Sequence, residues 1–170
     1  MKTPWILFCS LILLSCMQPQ NQKPLETQVS NIRSDSIKQW ITRYLEEVWN
    51  KRDFTNADKY WGPEFVNVFS PESGKGPEAM RQQVDYFLKA FENSHFELKN
   101  ILVQGDQVAL WIEISGKHTG ELFGIPATHK EVRFREAVWY TLKNGKLHEV
   151  YPFVDWNDLF RQLGKYPTLD

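Results

Sequence analysis

Apolar residues recur at Ile37, Trp40, Ile41, Tyr44, Leu45 and Val48. That spacing gathers them on one stripe of an α-helix, predicted over 34–50 with Ser34 as its cap. A short second helix is expected over 56–61, stopped by Gly62-Pro63. Residues 65–69 are β-rich, and 70–76 hold turn-forming residues. Pro77 opens a third helix at a favoured first position. Met80, Val84, Phe87, Leu88 and Phe91 mark its buried face.

The period then changes from 3.6 to 2. Strands are predicted over 96–103, 108–119, 132–142 and 147–154, with turns at Gly105-Asp106 and Asn144-Gly145. In the second of these, Leu110, Ile112 and Ile114 alternate with Trp111, Glu113 and Ser115. In the third, Phe134, Glu136, Val138, Tyr140 and Leu142 share one side. A closing helix over 155–162 ends at Gly164, with Asp155 as its cap. Helices followed by antiparallel strands make an α+β pattern rather than βαβ units. The expected architecture is a cone-shaped curved antiparallel sheet wrapped by three N-terminal helices, with a short C-terminal helix.

The N-terminus reads as an address. Lys2 precedes an apolar run from Trp5 to Leu14, too short to span a bilayer. Leu13-Leu14-Ser15-Cys16 resembles the lipobox of bacterial lipoproteins, which implies cleavage before Cys16 and lipidation of its thiol. Residues 1–15 are then the signal peptide, 16–33 a polar tether and 34–170 the domain. A coil of that length reaches roughly 20 Å. The expected location is outside the cytoplasm, lipid-anchored at a bacterial membrane on its periplasmic or outer-membrane face. Cys9 leaves with the signal and Cys16 carries the lipid, so no thiol remains for a disulfide, a nucleophile or a metal site.

Composition narrows the function classes. The formal net charge is −1 and no long block of one sign occurs, so no basic face offers itself to nucleic acid. Aromatic content is high, at 14%. Trp40, Tyr44, Trp61, Phe87 and Tyr140 are candidate lining for an apolar pocket, or plain core. His95, His118, His129 and His148 show no zinc-ligand spacing, and no metal is expected.

The order Gly-Lys-His-Thr-Gly at 116–120, Gly-Ile-Pro-Ala-Thr at 124–128, Gly145-Lys146 and Gln162-Leu163-Gly164 resembles the SnoaL-like polyketide cyclases, on the nuclear-transport-factor-like α+β cone. The resemblance covers about 37–164. It implies a deep apolar pocket where a carboxylate moves a proton beside a carbonyl and closes a ring by an aldol step, without metal or cofactor. It also implies that Pro152 stands where those cyclases carry the catalytic aspartate, Val138 where they carry a histidine, and Glu136 where they carry a glutamine. Asn67 stands at the place of a pocket amide, and His118 and Asp155 keep the family identity.

Pro152 cannot titrate and Val138 cannot polarise an oxygen, so the implied mechanism is broken at its centre. Glu136 is the remaining inward carboxylate. It is either an acid–base group raised by burial, or a core glutamate paired with an arginine or tyrosine. Asn67 either holds a ligand oxygen or ties down the 70–76 loop. His118 and His148 are candidate pocket residues, with a loop role for the first and a sheet-edge role for the second as alternatives. The favoured reading is a lipid-anchored domain binding a small apolar molecule. The alternatives are a cofactor-free cyclase or isomerase using Glu136, and a module whose open sheet face forms a homodimer. A filled interior would favour the last, and a cavity of a few hundred cubic ångströms either of the others.

Overall fold

The computed structural model describes residues 25–166. The expected signal peptide, Cys16 and the first part of the expected tether lie outside the described residues. Helix α1 spans Leu25–Tyr44. It therefore starts before the expected Ser34 and takes up the last part of the expected tether. Residues 25–44 contain no glycine or proline, so nothing interrupts helical hydrogen bonding before the apolar stripe begins.

The helix does not continue as α to its end. Leu45–Asn50 forms a π-helical turn, with one extra residue in its hydrogen-bonded loop. Asn50 fixes the end of that turn. Its side chain accepts from Phe96 N–H at 2.8 Å and donates to Phe96 C=O at 3.2 Å, so it pairs with the neighbouring strand as a backbone would. The predicted second helix is only a 3₁₀ turn at Ala57–Lys59, and Trp61 already belongs to a strand. Gly62-Pro63 lies inside that strand and did not need to stop a helix.

Strands β1 (Trp61–Asn67), β2 (Phe91–Gln104), β3 (Gln107–His118), β4 (Glu131–Lys143) and β5 (Lys146–Val154) form one sheet in the order β1-β5-β4-β3-β2. The pairs from β2 to β5 are antiparallel. Contrary to a wholly antiparallel sheet, β1 lies parallel to β5 along the far edge. Helix α2 (Gly76–Ala90) carries Pro77 in its first turn and buries Met80, Val84 and Leu88. Phe91, expected on that helix, is instead the first residue of β2. Helix α3 (Trp156–Leu163) is capped by the Asp155 side chain, which accepts from Asp158 N–H at 3.0 Å, and ends on Gly164 in the left-handed region.

The inner face of the sheet carries Val108, Leu110, Ile112 and Ile114 of β3 and Phe134, Val138 and Tyr140 of β4, all buried. Glu113 faces the other way, in ion pairs with Arg133 at 3.0 Å and Lys99 at 3.6 Å.

The glycines at 116 and 120 serve contact rather than chemistry. A Cβ on Gly116 would lie 3.1 Å from Ser94 Cα, where β2 bulges between Glu92 and His95. A Cβ on Gly120 would lie 2.4 Å from the Lys89 carbonyl oxygen. Gly120 and Thr119 both donate their N–H groups to Ala90 C=O, at 3.1 and 3.0 Å. The motif thus latches the end of β3 onto the end of α2.

Candidate functional site

Helices α1 and α2 and the concave sheet enclose a cavity of about 580 Å³. That lies within the range of small-molecule sites. Its wall is mostly aromatic and aliphatic. Tyr44, Leu45 and Trp49 come from α1 and its π-turn, Met80, Val84 and Phe87 from α2, and Ile112, Glu136, Val138, Tyr140, Val150 and Pro152 from the sheet. Phe69, Glu72, Tyr86, Phe123 and Trp156 also line it, and the first four are exposed, marking its mouth.

Strand parity sets Glu136 on the inner face, between Phe134 and Val138 and opposite Ile112. Its side chain has no hydrogen-bond or ion-pair partner among the described residues, so the expected alternative of a paired core glutamate is not what the fold contains. Protein surrounds it, and the surface it retains faces the cavity. Loss of water favours the neutral acid and pushes its pKa up to about 8. At neutral pH the group is therefore chiefly a carboxylic acid, able to donate, and becomes a carboxylate at mildly alkaline pH.

Two phenols feel its charge. Tyr44 and Tyr140 are fully buried, and burial raises both pKa values, with Glu136 adding to the shift in each. Trp61 Nε1–H donates to the Tyr44 hydroxyl at 3.3 Å. The Tyr44 and Tyr140 rings meet edge-on, with centroids 6.2 Å apart.

The other expected pocket residues divide. Asn67 lines the cavity and its amide is engaged on both sides. It accepts from Phe69 N–H at 3.1 Å and donates to Gln83 Oε1 at 3.2 Å, so it ties the loop after β1 to α2. Pro152 lies beside Val138 across the β4–β5 ladder, and both line the cavity. No acid of β5 joins them: Glu149 instead accepts from Thr141 and Tyr151 hydroxyls at 3.0 and 3.2 Å. Asp155 is occupied as the cap of α3 and lies outside the cavity wall.

Four expected lining residues are not in the wall. Trp40 packs on Tyr60, with centroids 5.3 Å apart. Trp61 is buried behind Tyr44. His118 is buried, its ring packs on Phe91, and Phe91 in turn packs on the cavity-lining Phe87. Its Nδ1 meets Thr128 N and Oγ1, which pins the long connection before β4. His148 leaves the inner face because the β4–β5 register slips between Thr141 and Leu142, which sets Leu147 opposite Leu142 and buries Leu147 in its place.

Trp49, Phe65, Gln83, Phe96, Phe123 and Trp156 line the cavity without having been singled out. Trp49 stands four residues after Leu45, at the edge of the α stripe, within the π-turn. Phe123 sits on a tight turn with φ of 50°, its N–H donating to Tyr86 Oη at 2.8 Å and its ring on Trp156 at 5.1 Å.

The family model for the SnoaL-like polyketide cyclases matches residues 39–163. Two cyclases are similar. The nogalonic acid methyl ester cyclase of Streptomyces nogalater is 28% identical over 112 residues, covering 64% of this chain and 84% of its own. An aklanonic acid methyl ester cyclase of Streptomyces peucetius is 26% identical over 133 residues, covering 75% of this chain and 92% of its own. Among solved structures, TsrD of Streptomyces laurentii superposes with a TM-score of 0.72 at 24% identity, over 78% of this chain and 97% of that one. A SnoaL-like polyketide cyclase of Agrobacterium tumefaciens gives 0.62 at 19% identity, over 71% and 94%. These superpositions show the shared fold.

Proposed function

This chain belongs to the SnoaL-like polyketide cyclase family, and on that premise we propose that its cavity takes a neutral, largely apolar carbonyl compound and moves a proton beside the carbonyl, with Glu136 as acid and base. The observation that carries this reading is an unpartnered carboxyl on a mostly apolar cavity wall, with its pKa raised to about 8 by burial. A base works best with a pKa near the working pH.

The step balances without a co-reactant. The Glu136 carboxylate takes a hydrogen from the carbon next to the carbonyl, and the C–H electron pair moves into the C=O group to leave an enolate. For ring closure the enolate carbon adds to a second carbonyl of the same molecule, and the proton on Glu136 passes to the new alkoxide. The two Streptomyces relatives, cyclases of nogalonic acid methyl ester and of aklanonic acid methyl ester, agree with a carbonyl substrate of this kind.

A direct test uses 2-tetralone, an enolisable bicyclic ketone, in D₂O. The protein is expected to speed deuterium uptake beside the carbonyl, with a rate that rises as pH passes through about 8 because the carboxylate is the base. Uptake at the buffer rate would reject proton transfer on this ketone. Pro152 and Val138 in the wall support a second reading, in which the cavity binds its ligand without turnover. Under that reading the ketone still binds but exchanges at the background rate.

The N-terminal lipobox-like segment supports an exported, lipid-anchored form, and an acyl group on the N-terminal Cys16 peptide would be seen in its mass. The convex face of the sheet supports a homodimer. Trp111, Ala137 and Phe153 form one cross-strand row there, with Trp111 44% and Phe153 57% exposed. Trp111→Glu is expected to shift a dimer to monomer in light scattering, whereas an unchanged mass would place any self-association elsewhere.

A further inference from the structure

The cavity wall holds acids and no bases. Its carboxyl groups are Glu72 and Glu136, and no Lys, Arg or His lines it among the described residues. Glu136 is the buried one, whereas Glu72 is exposed at the mouth, in the short turn Pro71–Ser73. Glu72 has no hydrogen-bond or ion-pair partner among the described residues. The lysine nearest to it in sequence, Lys75, pairs with Glu64 at 3.7 Å instead. An anion entering here meets no counter-charge and is repelled, whereas a cation is attracted.

The rings at the mouth are the second observation. Phe123 and Gly124 form a two-residue turn, closed by N–H to C=O bonds exchanged between Leu122 and Ile125 at 3.0 and 2.9 Å. Both central residues have positive φ, 50° and 76°. Such turns favour Asn-Gly, and a phenylalanine in one is strained. Core packing does not account for it, because the Phe123 ring is 46% exposed. Strain of this kind clusters at binding sites. Here it sets the ring edge-on to Trp156, at 83° and 5.1 Å, and tilted to Tyr86, at 55° and 6.1 Å. The Tyr86 hydroxyl fixes the turn. It accepts from Phe123 N–H at 2.8 Å and donates to Glu121 Oε1 at 3.5 Å, and the same Glu121 oxygen accepts from Gly124 N–H at 2.6 Å. The three rings therefore meet at steep angles and do not cover one another's faces.

Aromatic faces set at angles, beside a carboxylate and without a competing cation, are the chemistry that recognises a substituted ammonium group. We propose that the cavity mouth is an ammonium subsite: an alkylated ammonium group of the bound molecule lies against Phe123, Trp156 and Tyr86, with Glu72 as its counter-charge. Alkyl groups on the nitrogen pack against the rings, while the charge is drawn to their faces and to the carboxylate. The reading above concerns the buried end, where an uncharged carbonyl frame meets Glu136. This inference adds the outer end; it rests on the cavity being a ligand site, but not on turnover there. A tertiary amine suits both ends: it enters as the neutral base and holds its proton beside Glu72.

The test is a matched pair of probes, phenyltrimethylammonium and tert-butylbenzene, which share a shape and differ by a charged nitrogen against a carbon. Neither has a carbonyl, so binding is read without turnover. Equilibrium dialysis with the purified full-length chain is expected to show the cation binding about fivefold tighter. Glu72→Gln and Phe123→Leu, both at exposed positions, are each expected to weaken the cation about fivefold while changing tert-butylbenzene little; lost packing alone would weaken both probes alike. In the wild-type protein, raising the salt concentration is expected to weaken the cation and not the hydrocarbon, a readout that needs no variant. Equal binding of the two probes by the wild type, a preference indifferent to salt, or one that survives both substitutions would each overturn the subsite. The Glu136 reading would still stand, because deuterium uptake by 2-tetralone tests it separately. If neither probe binds, the subsite fails as well, and the ketone alone decides whether the cavity takes a ligand.

Discussion

Glu136→Gln is expected to remove proton transfer and, at the same time, to make the fold more stable at pH 8 by about 3 kcal/mol. The sign follows from the raised pKa. In the unfolded chain the carboxyl ionises near its ordinary value of 4.5, whereas in the folded cavity it keeps its proton to about 8. Between those values the folded state binds more protons than the unfolded state, so wild-type stability falls as pH rises. The fall is about 1.4 kcal/mol per pH unit and ends above the folded pKa. Glutamine has no ionised form, so it escapes that fall, but its amide also lacks a partner in the cavity, which reduces the gain. Urea unfolding of both proteins at pH 4 and pH 8 checks this. The gain should be present at pH 8 and absent at pH 4. A variant less stable than wild type at pH 8 would mean that the carboxylate has a partner, and the acid–base assignment would fall with it.

The second large effect concerns the junction of β3 and α2 rather than the cavity wall. Gly120→Ala is expected to lose about 3 kcal/mol, more than a surface substitution gives. The added methyl would meet Lys89 C=O at 2.4 Å and Ala90 Cα at 3.0 Å, both backbone atoms that cannot swing aside. Relief requires the β3 end to move away from α2, which breaks the two hydrogen bonds into Ala90 C=O. Gly105→Ala is the control. A Cβ there meets nothing within 4 Å, so its cost is confined to its positive φ of 59°. Denaturant midpoints of the two variants should separate clearly. Equal losses would mean that the latch carries no particular strain.

This division between latch and cavity explains what was legible in the sequence. Alternation along β3 and β4 placed Glu136, Val138 and Tyr140 on the inner face, and the structure has them there. Parity is a local property, and those two strands run without a register shift against each other. It failed for His148 because the β4–β5 ladder slips between Thr141 and Leu142, a consequence of pairing that one strand cannot announce. The Gly116 to Gly120 run was legible as a signature but not as to its purpose. Its glycines clear space for the β2 bulge and the α2 end, and its histidine pins a loop, so the most diagnostic residues are architectural. Trp40 and Trp61 were drawn to the pocket by their type, whereas depth in the core depends on which helix face meets which strand. Trp49 was missed for the opposite reason. It stands four residues after Leu45, at the edge of the α stripe, and the π-turn over Leu45–Asn50 is not announced by the α period.

Pro152 keeps its significance under either reading of the cavity. It lines the wall beside Val138, and no carboxylate of β5 replaces it. In the reading proposed above, proton transfer passes through Glu136, which makes the protonation state of that one side chain the central quantity. The difference infrared spectrum of wild type against Glu136→Gln, followed across pH, reads it directly. A carboxylic acid C=O band present at pH 7 and lost as pH passes through about 8 is the predicted result. A carboxylate already formed at pH 6, titrating near 4.5, would contradict it.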